Sequence, residues 1–243
     1  MKIIVADTET IQARVGTLLE KELLPVIRRR GAAILGLPGG RSVAPIIEVM
    51  PKLSIPWDRV SLFFVDERWL PREDSERNET GVVTAINTAF ESAPVRPRIV
   101  AAPAADSTED PSEGARNYAN TLKSESKGTL HFDVAILGIG EDGHIASIFP
   151  GSPLRLEEDA AYVSVKGSPK PPATRITANA SLLTSTPCVV GLLFGGQKSE
   201  AYRRLTSGES AATLPAAMIR EAPRGYIFAD YPAAGGTMLG EAE

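Results

Sequence analysis

The segment Gly138-Ile139-Gly140-Glu141-Asp142-Gly143-His144 sets three glycines, a carboxylate and an imidazole directly after the apolar run Phe132-Asp133-Val134-Ala135-Ile136-Leu137. Glycines at the end of a buried strand let the backbone approach a ligand closely and turn N–H groups toward it. An imidazole at the same place has the proton affinity that general-base chemistry near neutral pH requires. Asp142, two residues before His144, is near enough to orient that ring or raise its basicity. A histidine can also pack at a turn by chance, but the strand end, the glycines and the neighbouring Asp142 favour chemistry for His144. His131 lacks that company and reads as structural.

Four further segments offer seats for an anion. Leu37-Pro38-Gly39-Gly40-Arg41-Ser42 lies between a strand-like run and a helical pattern, so glycine amides, a hydroxyl, a helix start and the Arg41 guanidinium meet there. Asp66-Glu67-Arg68 closes the apolar run Val60–Val65 and is followed by Pro71 and by Arg77-Asn78. Arg68 is placed to meet a phosphate or a developing oxyanion. Gly195-Gly196-Gln197-Lys198 again follows an apolar run and supplies Lys198, and Thr174-Arg175-Ile176-Thr177 supplies Arg175. Each has a plainer reading as a glycine turn, a solvated corner or a surface cation.

Gly138, Gly140 and Gly143 also spell G-x-G-x-x-G, the spacing of a dinucleotide fingerprint. The match fails on context, because it falls mid-chain and the nearest acids, Glu157, Glu158 and Asp159, precede the run Tyr162–Val165 where a ribose-binding acid should end a strand. The glycine turn at residues 39–40 is not a P-loop, since no Gly-Lys-Ser/Thr follows at the required spacing.

The elements that must carry these groups alternate. Ile11, Val15, Leu18 and Leu19 recur at helical spacing, as do Val43, Ile46, Ile47 and Met50, and again Ala115, Tyr118, Ala119 and Leu122. Between them run strand-like stretches at residues 32–37, 60–65 and 132–137, and later at Tyr162–Val165, Val189–Phe194 and Tyr226–Phe228. The glycine turn before His144 is expected to run into a short helix. This alternation predicts a mainly parallel sheet with helices on both faces, in one domain over residues 1–243. Ligands of such sheets sit beyond the carboxyl ends of strands, which singles out Pro38–Ser42, Asp66–Arg68 and Gly138–His144.

Composition narrows the classes of function. At 43% hydrophobic and 23% charged residues over 243 positions the chain reads as globular, and its net charge of −4 with interspersed signs argues against nucleic acid as partner. The run Arg28-Arg29-Arg30 complements a helix C-terminus. Two histidines and the single Cys188, in an apolar run, leave little for a zinc site and no intrachain disulfide. No stretch of about 18 apolar residues suggests a membrane span, and an acidic Asp7 argues against a signal peptide, so a cytoplasmic location is expected.

Together these segments resemble the 6-phosphogluconolactonase family, which is related to the glucosamine-6-phosphate deaminases. The resemblance rests on Gly39-Gly40-Arg41-Ser42, on Asp66-Glu67-Arg68 with Pro71 and Asn78, on the block from Gly138 to Gly151 with Asp142-Gly143-His144 and Phe149-Pro150-Gly151, and on Arg175–Thr177 and Gly195–Lys198. It implies a three-layer, Rossmann-like α/β fold of the glucosamine-6-phosphate deaminase/ribose-5-phosphate isomerase type. It further implies hydrolysis of 6-phospho-D-glucono-1,5-lactone to 6-phosphogluconate, in the pentose phosphate pathway, without a cofactor or metal, by a monomer or weak homodimer. Asp142, His144 and Arg68 become the catalytic set. Gly39, Gly40, Arg41, Ser42, Asp66, Asn78, Gly138, Gly140, Gly143, Arg175 and Lys198 become the substrate and phosphate contacts. Three details depart from the pattern: Arg77 stands where lactonases usually have Ser, Ile145 follows the histidine as in the deaminases, and Arg41-Ser42-Val43 replaces a compact Ser-Thr-Pro.

Two rivals carry expectations of their own. A deaminase block would continue after the histidine with Ile-Ala-Phe-Asn-Glu and so supply a catalytic carboxylate, whereas Ser147-Ile148-Phe149 follows Ala146 here. A non-catalytic sugar-phosphate-binding protein would normally add a DNA-binding module, and an intact histidine and aspartate argue against it.

Overall fold

A computed structural model describes residues 1–40, 42–152 and 160–236. In chain order the elements are β1 (Lys2–Val5), α1 (Thr8–Arg30), β2 (Ala33–Leu37), α2 (Ala44–Val49), β3 (Val60–Phe64), β4 (Asp66–Arg68), α3 (Asn78–Ala89), β5 (Arg98–Ile99), α4 (Pro111–Glu125), β6 (Val134–Gly138), β7 (Tyr162–Val165), β8 (Arg175–Ala178), α5 (Ala180–Ser185), β9 (Cys188–Leu193), α6 (Ser199–Thr206) and β10 (Arg224–Ala229). Seven strands form one sheet in the order β1-β10-β9-β6-β2-β3-β5, every neighbouring pair parallel. Helices surround it. Its central strands β2, β3 and β9 are buried at every residue, as strands covered on both faces must be.

The first long helix shows how the sequence sets its limits. Asp7 accepts from the Thr10 N–H at 2.7 Å, capping the N-terminus of α1. Gly31, at φ +86°, ends it in a left-handed cap with its N–H on the Ile27 carbonyl. Ile11, Val15, Leu19 and Leu23 are fully buried on the inner face. The basic last turn meets the helix dipole as expected, and Arg30 is also paired with the buried Asp133.

A second sheet, β4-β8-β7, is antiparallel. Tyr162–Val165 therefore belongs to this small sheet and not to the parallel one. The connection from Lys166 to Thr174 is too short for a parallel crossover, which takes a dozen or more residues, so β7 and β8 pair as a hairpin. Tyr118 of α4 and Tyr162 of β7 hold the helix and the small sheet against the end of β3. Tyr118 accepts from the Phe64 N–H at 2.9 Å and Tyr162 donates to the Phe64 carbonyl at 2.6 Å. Their rings lie 4.8 Å apart, and burial pushes both phenols far above their usual pKa, so both stay protonated. The next residue, Val65, gives its N–H to Leu37 at the end of β2 and takes the N–H of Ala178 from β8.

The short helix expected after His144 is not formed. Ile145 bridges both Ile139 and Ile148, and Ala146 adopts φ +48°, a conformation that cannot continue a right-handed helix. Pro150 also disfavours helical backbone at Phe149. Ser147 is thereby turned inward, its N–H on Thr177 Oγ1 at 3.1 Å.

Candidate active site

The carboxyl ends of β2, β6 and β9, with β4 at the end of β3, meet around two adjoining cavities of about 270 and 110 Å3. The larger is lined by Gly39, Gly40 and Ser42, by Gly138, Gly140 and His144, and by Gln197 and Lys198. The smaller shares Gly39, Gly40, Gly138 and His144 and adds Asp66, Arg68, Asn78 and Arg175. Nearly every residue singled out from sequence thus reaches one place. Asp142 reaches it through His144, Gly143 stands in the turn behind, and Arg41 lies outside the described residues.

The turn that presents His144 is built by its own backbone. Gly140 donates to the His144 carbonyl at 2.8 Å and Gly143 donates to the Gly140 carbonyl at 3.0 Å. Gly143, at φ +83°, lies against Leu214, where a methyl group would come within 2.0 Å of that side chain. Its carbonyl accepts from Ala216, and Arg204 donates to the Asp142 carbonyl at 3.2 Å. These bonds correct one expectation. The amides of Gly140 and Gly143 are engaged within the turn, so neither is directed at a ligand.

Asp142 Oδ1 lies 2.5 Å from Nδ1 of His144. A carboxylate accepts, so Nδ1 carries a proton, and in the neutral ring this leaves the lone pair on Nε2. Burial works to raise the Asp142 pKa, but the hydrogen bond and charge of His144, its backbone N–H and Lys170 Nζ at 3.9 Å prevail and hold it well below the usual carboxylate range. On another side the imidazole packs on Phe149, ring centroids 4.6 Å apart at 33°.

The smaller cavity is walled by a buried polar cluster. Ser147 donates to Asp66 Oδ2 at 2.6 Å, and Asn78 Nδ2 donates to the Asp66 carbonyl at 2.9 Å. Arg175, 5% exposed, lies 3.9 Å from Asp66 and donates to the carbonyls of Lys170, Pro171 and Pro172. Burial lowers its pKa, Asp66 opposes the shift and Arg68 adds to it. Gly39 is required here, since a methyl group at that position would fall 1.9 Å from Asn78 Oδ1. Arg68 Nη1 bonds the Glu76 carbonyl, while its Nε is buried without a hydrogen-bond partner. Among the described residues no cluster of three or more His, Cys, Asp or Glu side chains is placed to hold a metal ion.

Sequence reasoning did not foresee the supports of this site. Glu67, expected as part of a charged corner, is 2% exposed. It accepts from the N–H groups of Arg68, Asn78 and Glu79, so it caps α3 and fixes Asn78. Burial raises its pKa against the pull of Arg77 and these N–H groups. Arg77 is fully buried, bonded to Glu79 and to the carbonyls of Leu70, Ala102 and Pro103, and so binds loops together. Ser147 and Phe149 lay inside the histidine block but carried no sign of their contacts.

A family model described as glucosamine-6-phosphate isomerases/6-phosphogluconolactonase matches residues 6–227. The chain belongs to that family. It is 32% identical to the 6-phosphogluconolactonase of Streptomyces coelicolor, over 94% of this chain and 91% of that protein. Among solved structures, 6-phosphogluconolactonase from Thermotoga maritima matches at TM-score 0.75 and 24% identity, over 94% of this chain and 99% of the other. A monomeric glucosamine-6-phosphate deaminase matches at TM-score 0.76 and 20% identity, over 97% and 99%. The two structures carry the fold, a mostly parallel sheet with helices around it, which both branches of the family share.

Proposed function

We propose that this family member hydrolyses 6-phospho-D-glucono-1,5-lactone to 6-phosphogluconate, with His144 as general base. The observation that carries the reading is the Asp142–His144 pair, set on the wall of a cavity that Arg68 also lines. Nε2 takes a proton from water as the water oxygen bonds to the lactone carbonyl carbon. Arg68, on the wall of the smaller cavity, stabilises the oxyanion. Collapse of the intermediate breaks the bond to the ring oxygen, which takes the proton back from the imidazolium. Gly39, Gly40 and Ser42, with Lys198 on the same cavity, receive the 6-phosphate. Arg175 holds the smaller cavity in shape and adds positive charge.

The deaminase branch lacks its carboxylate here. The position that would carry the glutamate is Phe149, whose ring packs on His144. Release of ammonia from glucosamine 6-phosphate would speak for that branch. The same reading takes the chain as one cytoplasmic domain, a monomer or weak homodimer working on a free sugar phosphate without cofactor or nucleic acid.

The test is His144→Ala assayed on freshly prepared lactone at low pH, with spontaneous hydrolysis subtracted. Turnover should fall by about 10²- to 10⁴-fold, the usual worth of a general base. Near-normal turnover would remove His144 from the reaction.

A further inference from the structure

At the opposite edge of the parallel sheet, where β6, β9 and β10 begin, lies a cavity of about 600 Å3, larger than either part of the candidate active site. One wall is α1. Lys21, Pro25 and Arg29 recur there at intervals of four and so share one helix face. The facing wall is the loop before β6, with Lys127, Thr129 and His131, and Pro187 and Arg224 complete the lining.

The charge of this cavity runs against that of the chain. Five Lys and Arg side chains line it against two carboxylates, in a protein of net charge −4. Both carboxylates are already matched. Asp133 pairs with Arg30 and also accepts from the Ile34 N–H at 2.7 Å, and Glu22 pairs with Arg224 at 2.7 Å. Lys127 gives one of its three protons to the Arg30 carbonyl at 2.9 Å. The positive excess therefore rests on Lys21, Arg29 and the remaining donors of Lys127, at the mouth of a hollow that Pro25, Val26 and Pro187 make partly apolar. Clustered cations in a concave setting concentrate anions, and an Arg fork with ammonium groups suits phosphate oxygens.

We infer that this cavity is a second anion site, one that takes an organic polyphosphate of nucleotide size, its phosphates on Lys21, Arg29 and Lys127 and its ring system on Pro25, Val26 and Pro187. A volume of this size lies within the range of small-molecule pockets. The site shares no lining residue with the lactone-binding cavities, so its occupancy and the lactonase reading fail independently.

The experiment is calorimetric titration of the full chain with ATP, with inorganic pyrophosphate and with 6-phosphogluconate in parallel. ATP should bind saturably, equally well to the wild type, to His144→Ala and to protein saturated with 6-phosphogluconate. Lys21→Ala/Arg29→Ala should weaken it by about tenfold or more, the worth of one or two charge-assisted contacts, while leaving lactonase turnover unchanged. Absence of saturable ATP binding, binding that survives the double substitution, or displacement of ATP by 6-phosphogluconate would each overturn the site. Pyrophosphate binding as tightly as ATP would overturn the nucleotide-sized ligand by removing any part for the apolar wall.

Discussion

Gly140 and His144 are in such close approach that a methyl group at position 140 would lie 2.0 Å from Nδ1 of the imidazole and 2.6 Å from Oδ1 of Asp142. The carboxylate–imidazole pair occupies the space that any side chain at 140 would need. Gly140→Ala should therefore displace the ring and lower kcat by about 10²-fold, since an error of an ångström at the reacting group is enough for such a loss. Steady-state kinetics should show the loss in kcat with KM little changed, and calorimetry should show 6-phosphogluconate still bound.

Asp142 supplies the pH test. Its folded pKa is depressed, so its contribution to stability is complete above the pKa of the unfolded carboxyl, about 4, and fades as pH falls through its lower folded value. Asp142→Asn should flatten the acid limb of Tm against pH below about pH 4 and leave the neutral region parallel to wild type. It should also reduce kcat at pH 7 by about 10²-fold or more, because an amide can hold the wrong tautomer. An acid limb identical to wild type would contradict the pairing.

Glu67 carries a prediction about stability. Glu67→Gln keeps the shape but leaves the fully buried Arg77 with Glu79 as its remaining carboxylate partner and gives the N-terminus of α3 a poorer acceptor. Unfolding in urea should show a loss of about 2 kcal/mol, typical of weakening hydrogen bonds to a buried charged group. An exposed pair such as Arg203–Glu200 should change stability by under about 1 kcal/mol when broken.

Phe149 touches the imidazole and stands beneath Arg175, whose guanidinium carbon is 5.7 Å from the ring centroid. Phe149→Leu keeps the volume apolar but removes the flat surface. It should lower kcat by about fivefold, matching the ~1 kcal/mol of an aromatic contact, while Phe149→Tyr keeps the contact and most of the rate. Equal kinetics for the leucine and tyrosine variants would show that the ring plays no positioning part.

The elements that sequence reading recovered are those whose burial is written in their own residues. The inner face of α1 and the apolar runs of β2, β3, β6, β9 and β10 announce themselves by periodicity and continuity. The edge strand β1 went unread because its four residues are mostly exposed, and β5 is only two residues long. Strand β4 was illegible for another reason. Asp66-Glu67-Arg68 looks like a solvated corner until Arg77, Asn78 and Ser147, all distant in sequence, close around it. The site divides along the same line. Glycines and a histidine at a strand end could be read directly, while Ser147 and Phe149 acquire their contacts only through the left-handed bend at Ala146.

The position of Val65 bears on how the cleft behaves between turnovers. One residue belongs to both sheets through its two backbone hydrogen bonds, and Asp66 follows it immediately. The sheets cannot splay apart at this point without breaking one of those two hydrogen bonds. This tie favours a cleft whose walls are largely preformed when the chain folds, which lowers the ordering cost of binding.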